Sequence, residues 1–143
     1  MLSSIQIYRI IGGVFVVLGL ISLMNTVAGF AIHGELLWRS ALCTIIDFCV
    51  AAGFFGRHRW LLPILFVNVL AQATLVSVRY AAHPDLSLLY FPLFGFALAA
   101  ALFVFVFRTR TMLRWNVYGY LAAAGFLVSW GILFSYTVVR WLA

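Results

Sequence analysis

Asp47 is an acid set inside a long apolar stretch, and the residues spaced around it are the first in the chain that could do chemistry together. A carboxylic acid near the middle of a bilayer costs about 2.5 to 3.5 kcal/mol on insertion scales, so it needs a partner or a proton. Arg39, Cys43 and Asp47 recur every fourth residue and therefore share one face of a helix. The next apolar run carries a matching stripe, Asn68, Gln72 and Arg79. If the two runs are antiparallel neighbours, Asn68 lies at the depth of Asp47 and Arg79 near that of Arg39. The pair of stripes would then form a polar cleft, closed near the midplane and open at one side, with arginines at its mouth. Such a cleft suits an anionic headgroup or the delivery of protons to Asp47. The same residues could instead form a buried hydrogen-bond network that fixes helix register, or face a polar residue of another subunit.

A weaker constellation joins His33 and Glu35 with His83 and Asp85, a His-x-Glu and a His-x-Asp at the ends of apolar runs. Imidazole and carboxylate together suit zinc, copper or iron. Two-residue matches are common, however, and Pro84 makes the second pair read as a turn. Haem ligation by two histidines wants them within facing helices, whereas His33, His58 and His83 all fall at helix ends, so no cofactor is expected. Cys43 and Cys49 lie six residues apart on one helix, where their side chains diverge too far for a disulfide, and they read as small core residues. No nucleophile, base and orienting residue can be assembled. Ser129 and Ser135 have no histidine nearby, and neither a glycine-rich phosphate loop nor a His-Glu-x-x-His pair is present. A non-enzymatic role is expected.

The elements that would position these residues follow from composition. Of 143 residues, 66% are hydrophobic and 8% are charged, with a mean hydropathy of +1.16. A soluble domain carries roughly 25% charge, so this chain cannot build a water-facing surface and must sit largely in lipid. A helix rises about 1.5 Å per residue and needs about 20 apolar residues to cross about 30 Å of hydrocarbon. Plain runs of that length occupy residues 10–32, 60–78, 86–107 and 115–139, while 36–56 is interrupted by Arg39 and Asp47. The runs lack the two-residue alternation of a membrane barrel. The expected fold is an all-α integral membrane protein, one compact bundle of about five transmembrane helices, or four if residues 36–56 do not span. The first run has small residues after its apolar core, as a secretory signal does. It lacks an early basic cluster, because Arg9 is the only charged side chain before Glu35, and so it reads as a retained span.

Every basic residue is arginine, a bias that fits a GC-rich bacterial genome and an inner-membrane location. With five spans, Arg9, Arg57, Arg59, Arg108, Arg110 and Arg114 share one side, while Arg39, Arg79 and Arg140 share the other with Glu35 and Asp85. The positive-inside rule then puts the N-terminus in the cytoplasm and the C-terminus outside. Trp38, Trp60, Trp115 and Trp141, with Tyr8, Tyr80, Tyr90 and Tyr118, fall at predicted helix ends as an aromatic belt. The net charge of +6 is dispersed over separate helix ends, which fits orientation and contact with anionic membrane lipids and argues against nucleic acid.

Small residues mark where helices approach in lipid. Gly95, Ala97, Ala99, Ala100 and Ala101 in the fourth run, and Gly119, Ala122, Ala123, Ala124, Gly125 and Ser129 in the fifth, predict a close crossing of these two helices with each other or with a partner copy. Pro92, inside the fourth run, predicts a kink, whereas Pro63 lies in a first turn where its missing N–H costs nothing. Three functions remain. The first is an accessory, assembly or immunity-type partner of a larger membrane protein, suggested by short loops and small-residue faces. The second is a small homo-oligomeric transporter or lipid-binding protein using the cleft around Asp47. The third is a metal-binding protein using His33, Glu35, His83 and Asp85.

Overall fold

The computed structural model describes residues 3–34, 37–82 and 89–142. They form five helices: α1 (Ser4–His33), α2 (Trp38–Gly56), α3 (Leu61–Ala82), α4 (Tyr90–Arg108) and α5 (Val117–Leu142), with a 3₁₀ turn at Arg110–Met112 before the last. No strand occurs among the described residues. Together with the composition, this is an all-α membrane bundle. Helices α1, α2, α3 and α5 are each long and apolar enough to span, so the stretch interrupted by Arg39 and Asp47 qualifies. The shorter one is α4, whose apolar part is Pro92–Arg108.

Local sequence explains several boundaries. Ser3 caps α1 with a reciprocal pair: its hydroxyl accepts from the Gln6 N–H at 3.3 Å and the Gln6 side chain accepts from the Ser3 N–H at 2.8 Å. The helix therefore starts at Ser4, six residues before the charge-free run that Arg9 delimits, and ends at Gly34, whose φ of 67° closes it in the left-handed region. At 30 residues it is about 45 Å long, so it must tilt or extend beyond the hydrocarbon. Helix α4 begins at Tyr90, later than residue 86. Pro92 consequently lies in a first turn, where no intrahelical hydrogen bond is lost, and the expected kink has no cause.

Helix α1 meets α2 through Tyr8, Gly12, Phe15, Gly19, Ser22, Thr26 and Gly29, spaced alternately four and three residues apart. This 3.5-residue period is the seam of a left-handed pairing. The glycines admit side chains from α2 and its entry: a Cβ added at Gly12 would lie 3.2 Å from the Phe55 ring, and one at Gly19 3.2 Å from Phe48. The opposite face of α1, including Val14, Val17, Leu20, Ile21, Met24 and Val27, is exposed.

Laterally the helices run α1, α2, α5, α3, α4. Helix α5 packs against both α2 and α3, which barely touch each other. The predicted close crossing of α4 with α5 within one chain is not formed. Gly125 instead faces Cys49 of α2, whose Sγ would lie 3.1 Å from an added Cβ, and Gly95 of α4 faces Gln72 of α3, whose Oε1 would lie 3.3 Å from one. The main core cluster comprises Tyr8, Val50, Phe54, Trp60, Leu61, Ile64, Leu65, Val106, Leu113 and Phe126. All ten lie toward the end that holds the α2–α3 and α4–α5 connections, so the bundle is most tightly packed there. Tyr8, expected in the aromatic belt, is 1% exposed, sits against Phe54 and Phe105, and shares a 2.8 Å hydrogen bond with Thr109 at the C-terminal end of α4. That contact joins the start of the first helix to the end of the fourth.

Candidate functional site

The two polar stripes do not meet within one chain, because α5 stands between α2 and α3. Arg39 crosses to α5, where its guanidinium donates to the Tyr136 hydroxyl and lies 4.4 Å from that ring's centre. Asp47 turns the other way, toward α1, and accepts from the Ser22 hydroxyl at 3.5 Å. The Ser22 carbonyl in turn accepts from Ser40 at 2.8 Å and from Thr26 at 2.9 Å, which makes a polar seam along the α1–α2 contact. Asn68 accepts from the Trp130 indole of α5 at 3.2 Å, and Gln72 packs on Gly95. Arg79 lies in the last turn of α3, half-buried. The grouping of Arg39, Asp47, Asn68, Gln72 and Arg79 into one intramolecular cleft is therefore corrected. Arg39 and Asn68 reach α5, Asp47 reaches α1, and Gln72 lies against α4.

Of the proposed metal ligands, Glu35, His83 and Asp85 lie outside the described residues, as does the side chain of His33. Cys43 and Cys49 are free and half-buried.

At the opposite end the structure builds a site that the spacing rules did not single out. The α2–α3 connection and the α4–α5 connection run side by side as a short parallel bridge. The Arg114 N–H donates to the Arg57 carbonyl at 2.7 Å, and the Arg59 N–H donates to the Arg114 carbonyl at 3.0 Å. Arg57 supplies its carbonyl by adopting a left-handed conformation, φ 51°, as the C-cap of α2. Beneath the bridge His58 is 7% exposed, wedged against Gly56 and Gly119; a Cβ at Gly119 would stand 2.8 Å from its Nδ1. That nitrogen has no hydrogen-bond partner, and burial holds the imidazole below its ordinary pKa.

Beside this bridge opens a cavity of about 620 Å³ lined by Arg59, Trp60, Leu62, Pro63, Arg110, Thr111, Leu113, Trp115 and Tyr120. Trp60 and Leu113 are buried, while Arg59, Arg110, Trp115 and Tyr120 are exposed. The Arg59 guanidinium lies 5.5 Å from the Trp115 ring centre and its Nε donates to the Leu113 carbonyl at 3.5 Å. Arg110 lies 4.5 Å from the ring centre of Phe107. Trp115 stacks on Tyr120 at 5.9 Å. The Trp60 indole N–H is buried without an acceptor in the protein. Two cations are thus held against aromatic faces above an apolar floor, with no carboxylate, thiol or imidazole in the lining. Such a surface can bind an anion attached to an apolar group. Its only other polar side chains are the hydroxyls of Thr111 and Tyr120.

The sequence did signal this end, since six arginines share it with Trp60 and Trp115. From sequence those residues imply only orientation and an aromatic belt, because a cavity between two connections depends on their lateral pairing. Fold and composition together define a multi-pass, all-α membrane protein. No protein family matches the chain, and neither a curated protein nor a solved structure matches it.

Proposed function

We infer that this chain is a multi-pass protein of a bacterial inner membrane, with its arginine-rich end in the cytoplasm, and that it acts by binding rather than catalysis, as an accessory or assembly partner of a larger membrane protein. The observation that carries the reading is the lining of the cavity at the arginine-rich end, which offers two guanidiniums, two indoles, aliphatic groups and the Thr111 and Tyr120 hydroxyls, with no carboxylate, thiol or imidazole. Two further features support it. The connections are short, and α1 and α4 each leave one apolar face toward lipid, where another helix can pack.

The alternative, a small homo-oligomeric transporter working through Asp47, has less support. Arg39 and Asn68 are hydrogen-bonded to α5 and Gln72 lies against α4, so among the described residues these groups do not join into one polar path within a single copy. The lipid-binding part of that alternative fits the arginine-rich end better than the Asp47 region.

Native mass spectrometry of the protein, extracted gently from its own membrane, tests the accessory reading. An unlike chain at a fixed ratio is the expected result. A homo-oligomer or a monomer without an unlike chain would overturn it.

A further inference from the structure

We propose that the cavity between the α2–α3 and α4–α5 connections holds the headgroup end of an anionic phospholipid from the surrounding membrane, with Arg59 and Arg110 meeting the phosphate. The proposal rests on the reading that this protein works by binding, but it does not require an unlike partner chain.

The two arginines come from different connections, and the backbone bridge between Arg57, Arg59 and Arg114 sets how those connections sit together. Both arginines therefore reach the same cavity from separate connections. The Arg59 guanidinium uses only its Nε within the protein, and aromatic stacking leaves the edges of both guanidiniums free to donate. Among the described residues the sole acid is Asp47, in the middle of α2, so no carboxylate neutralises this end. Charge complementarity therefore asks for an anion.

The floor identifies what the anion is attached to. Trp60, Leu62, Pro63 and Leu113 line the cavity from the connections down into the first turn of α3, where the chain enters the apolar span. A free, fully hydrated anion gains nothing from those surfaces, whereas a phosphate joined to acyl chains places its charge at the arginines and its first methylenes on the floor. The volume of about 620 Å³ falls in the range of small-molecule sites, roughly 300 to 1,000 Å³. The acyl tails would continue into the bilayer. Trp60 and Trp115 flank the site at the depth where indoles mark the boundary between lipid and water.

The test uses the full-length protein in detergent micelles doped with equal amounts of phosphatidylglycerol and phosphatidylethanolamine, with bound lipid counted by native mass spectrometry. The wild-type protein should retain phosphatidylglycerol in clear excess. Arg59→Gln and Arg110→Gln should each lower that excess about fivefold, and the pair should bring it close to parity. Arg9→Gln with Arg108→Gln removes the same charge from the same end but outside the cavity, and should leave most of the preference intact. Equal loss from both pairs would overturn the proposal in favour of a diffuse positive surface. An absence of headgroup preference in the wild-type protein would overturn it outright. Glycerol 3-phosphate, which carries the anion without the chains, should not displace the lipid at millimolar concentration; displacement would make a free anion the occupant and also overturn it. Arg110 makes no hydrogen bond to the bridge, so Arg110→Gln keeps the test valid if changing Arg59 disturbs folding. Failure here with an unlike chain still bound would leave the accessory reading standing, and the reverse result would leave the lipid site standing.

Discussion

Replacing Gly53 with alanine probes the contact on which the arginine-rich end is built. In an isolated helix the change favours the folded state by up to about 1 kcal/mol, because alanine is the better helix former. In this protein a Cβ at position 53 would stand 2.7 Å from Cζ2 and 2.9 Å from Cη2 of Trp60, and 2.8 Å from Cδ2 of Leu61. Trp60 is 8% exposed and Leu61 fully buried, so neither can swing into open space. Overpacking of a closed core costs about 1 to 3 kcal/mol; contacts under 3 Å on two buried side chains call for the upper half of that range, so after the gain in helix propensity the net expectation is a loss of about 1 to 2 kcal/mol. Gly13→Ala is the control, since nothing lies within 4 Å of an added Cβ there, and it should be neutral or slightly stabilising. Both variants are compared by sodium dodecyl sulfate titration of the full-length protein in mixed micelles, followed by tryptophan fluorescence. Gly53→Ala as stable as the wild type, or Gly13→Ala losing as much, would refute the packing of α2 on Trp60 and with it the shape of the cavity floor.

Two further outcomes are expected. The His58 imidazole is buried without a partner and its folded pKa is depressed, so the unfolded chain takes up a proton first as pH falls below about 6.5. Stability should be full above that pH and decline below it, by no more than about 1.4 kcal/mol per pH unit, with the decline ending at the folded pKa; a profile unchanged in His58→Gln would show that His58 is not the responsible group. For orientation, a C-terminal reporter that matures only in the cytoplasm should stay dark, because five crossings from a cytoplasmic N-terminus end outside; a bright reporter would show an even number of crossings or the reverse orientation.

The arrangement also changes what Asp47 means. An intramembrane acid is expected to face a cation or a cavity, yet here its hydrogen bond is to Ser22 across the α1–α2 seam. The Ser40 hydroxyl of α2 bonds to the Ser22 carbonyl of α1 as well, so two side-chain hydrogen bonds cross this contact and favour one register, while Thr26 bonds back to Ser22 within α1. The arginine with the same helical spacing, Arg39, serves α5 instead.

The sequence alone determined that the chain is an all-α membrane bundle, because the solvent of each segment follows from local composition and a span from local length. Once five spans are assumed it also implies which helix ends share a side, because consecutive spans alternate in direction, and that assumption groups six arginines with Trp60 and Trp115. Lateral order was beyond its reach. In lipid every face of these helices is apolar, so periodicity gives little indication of which neighbour a face will meet, and both the small residues of α4 and α5 and the stripes on α2 and α3 fitted more than one arrangement. Only the tertiary structure decided that α5 stands between α2 and α3. That placement separates Asp47 from Asn68 and sends Arg39 to Tyr136. It also draws the α2–α3 and α4–α5 connections alongside each other, which turns Arg59 and Arg110, 51 residues apart in the chain, into the two sides of one cavity.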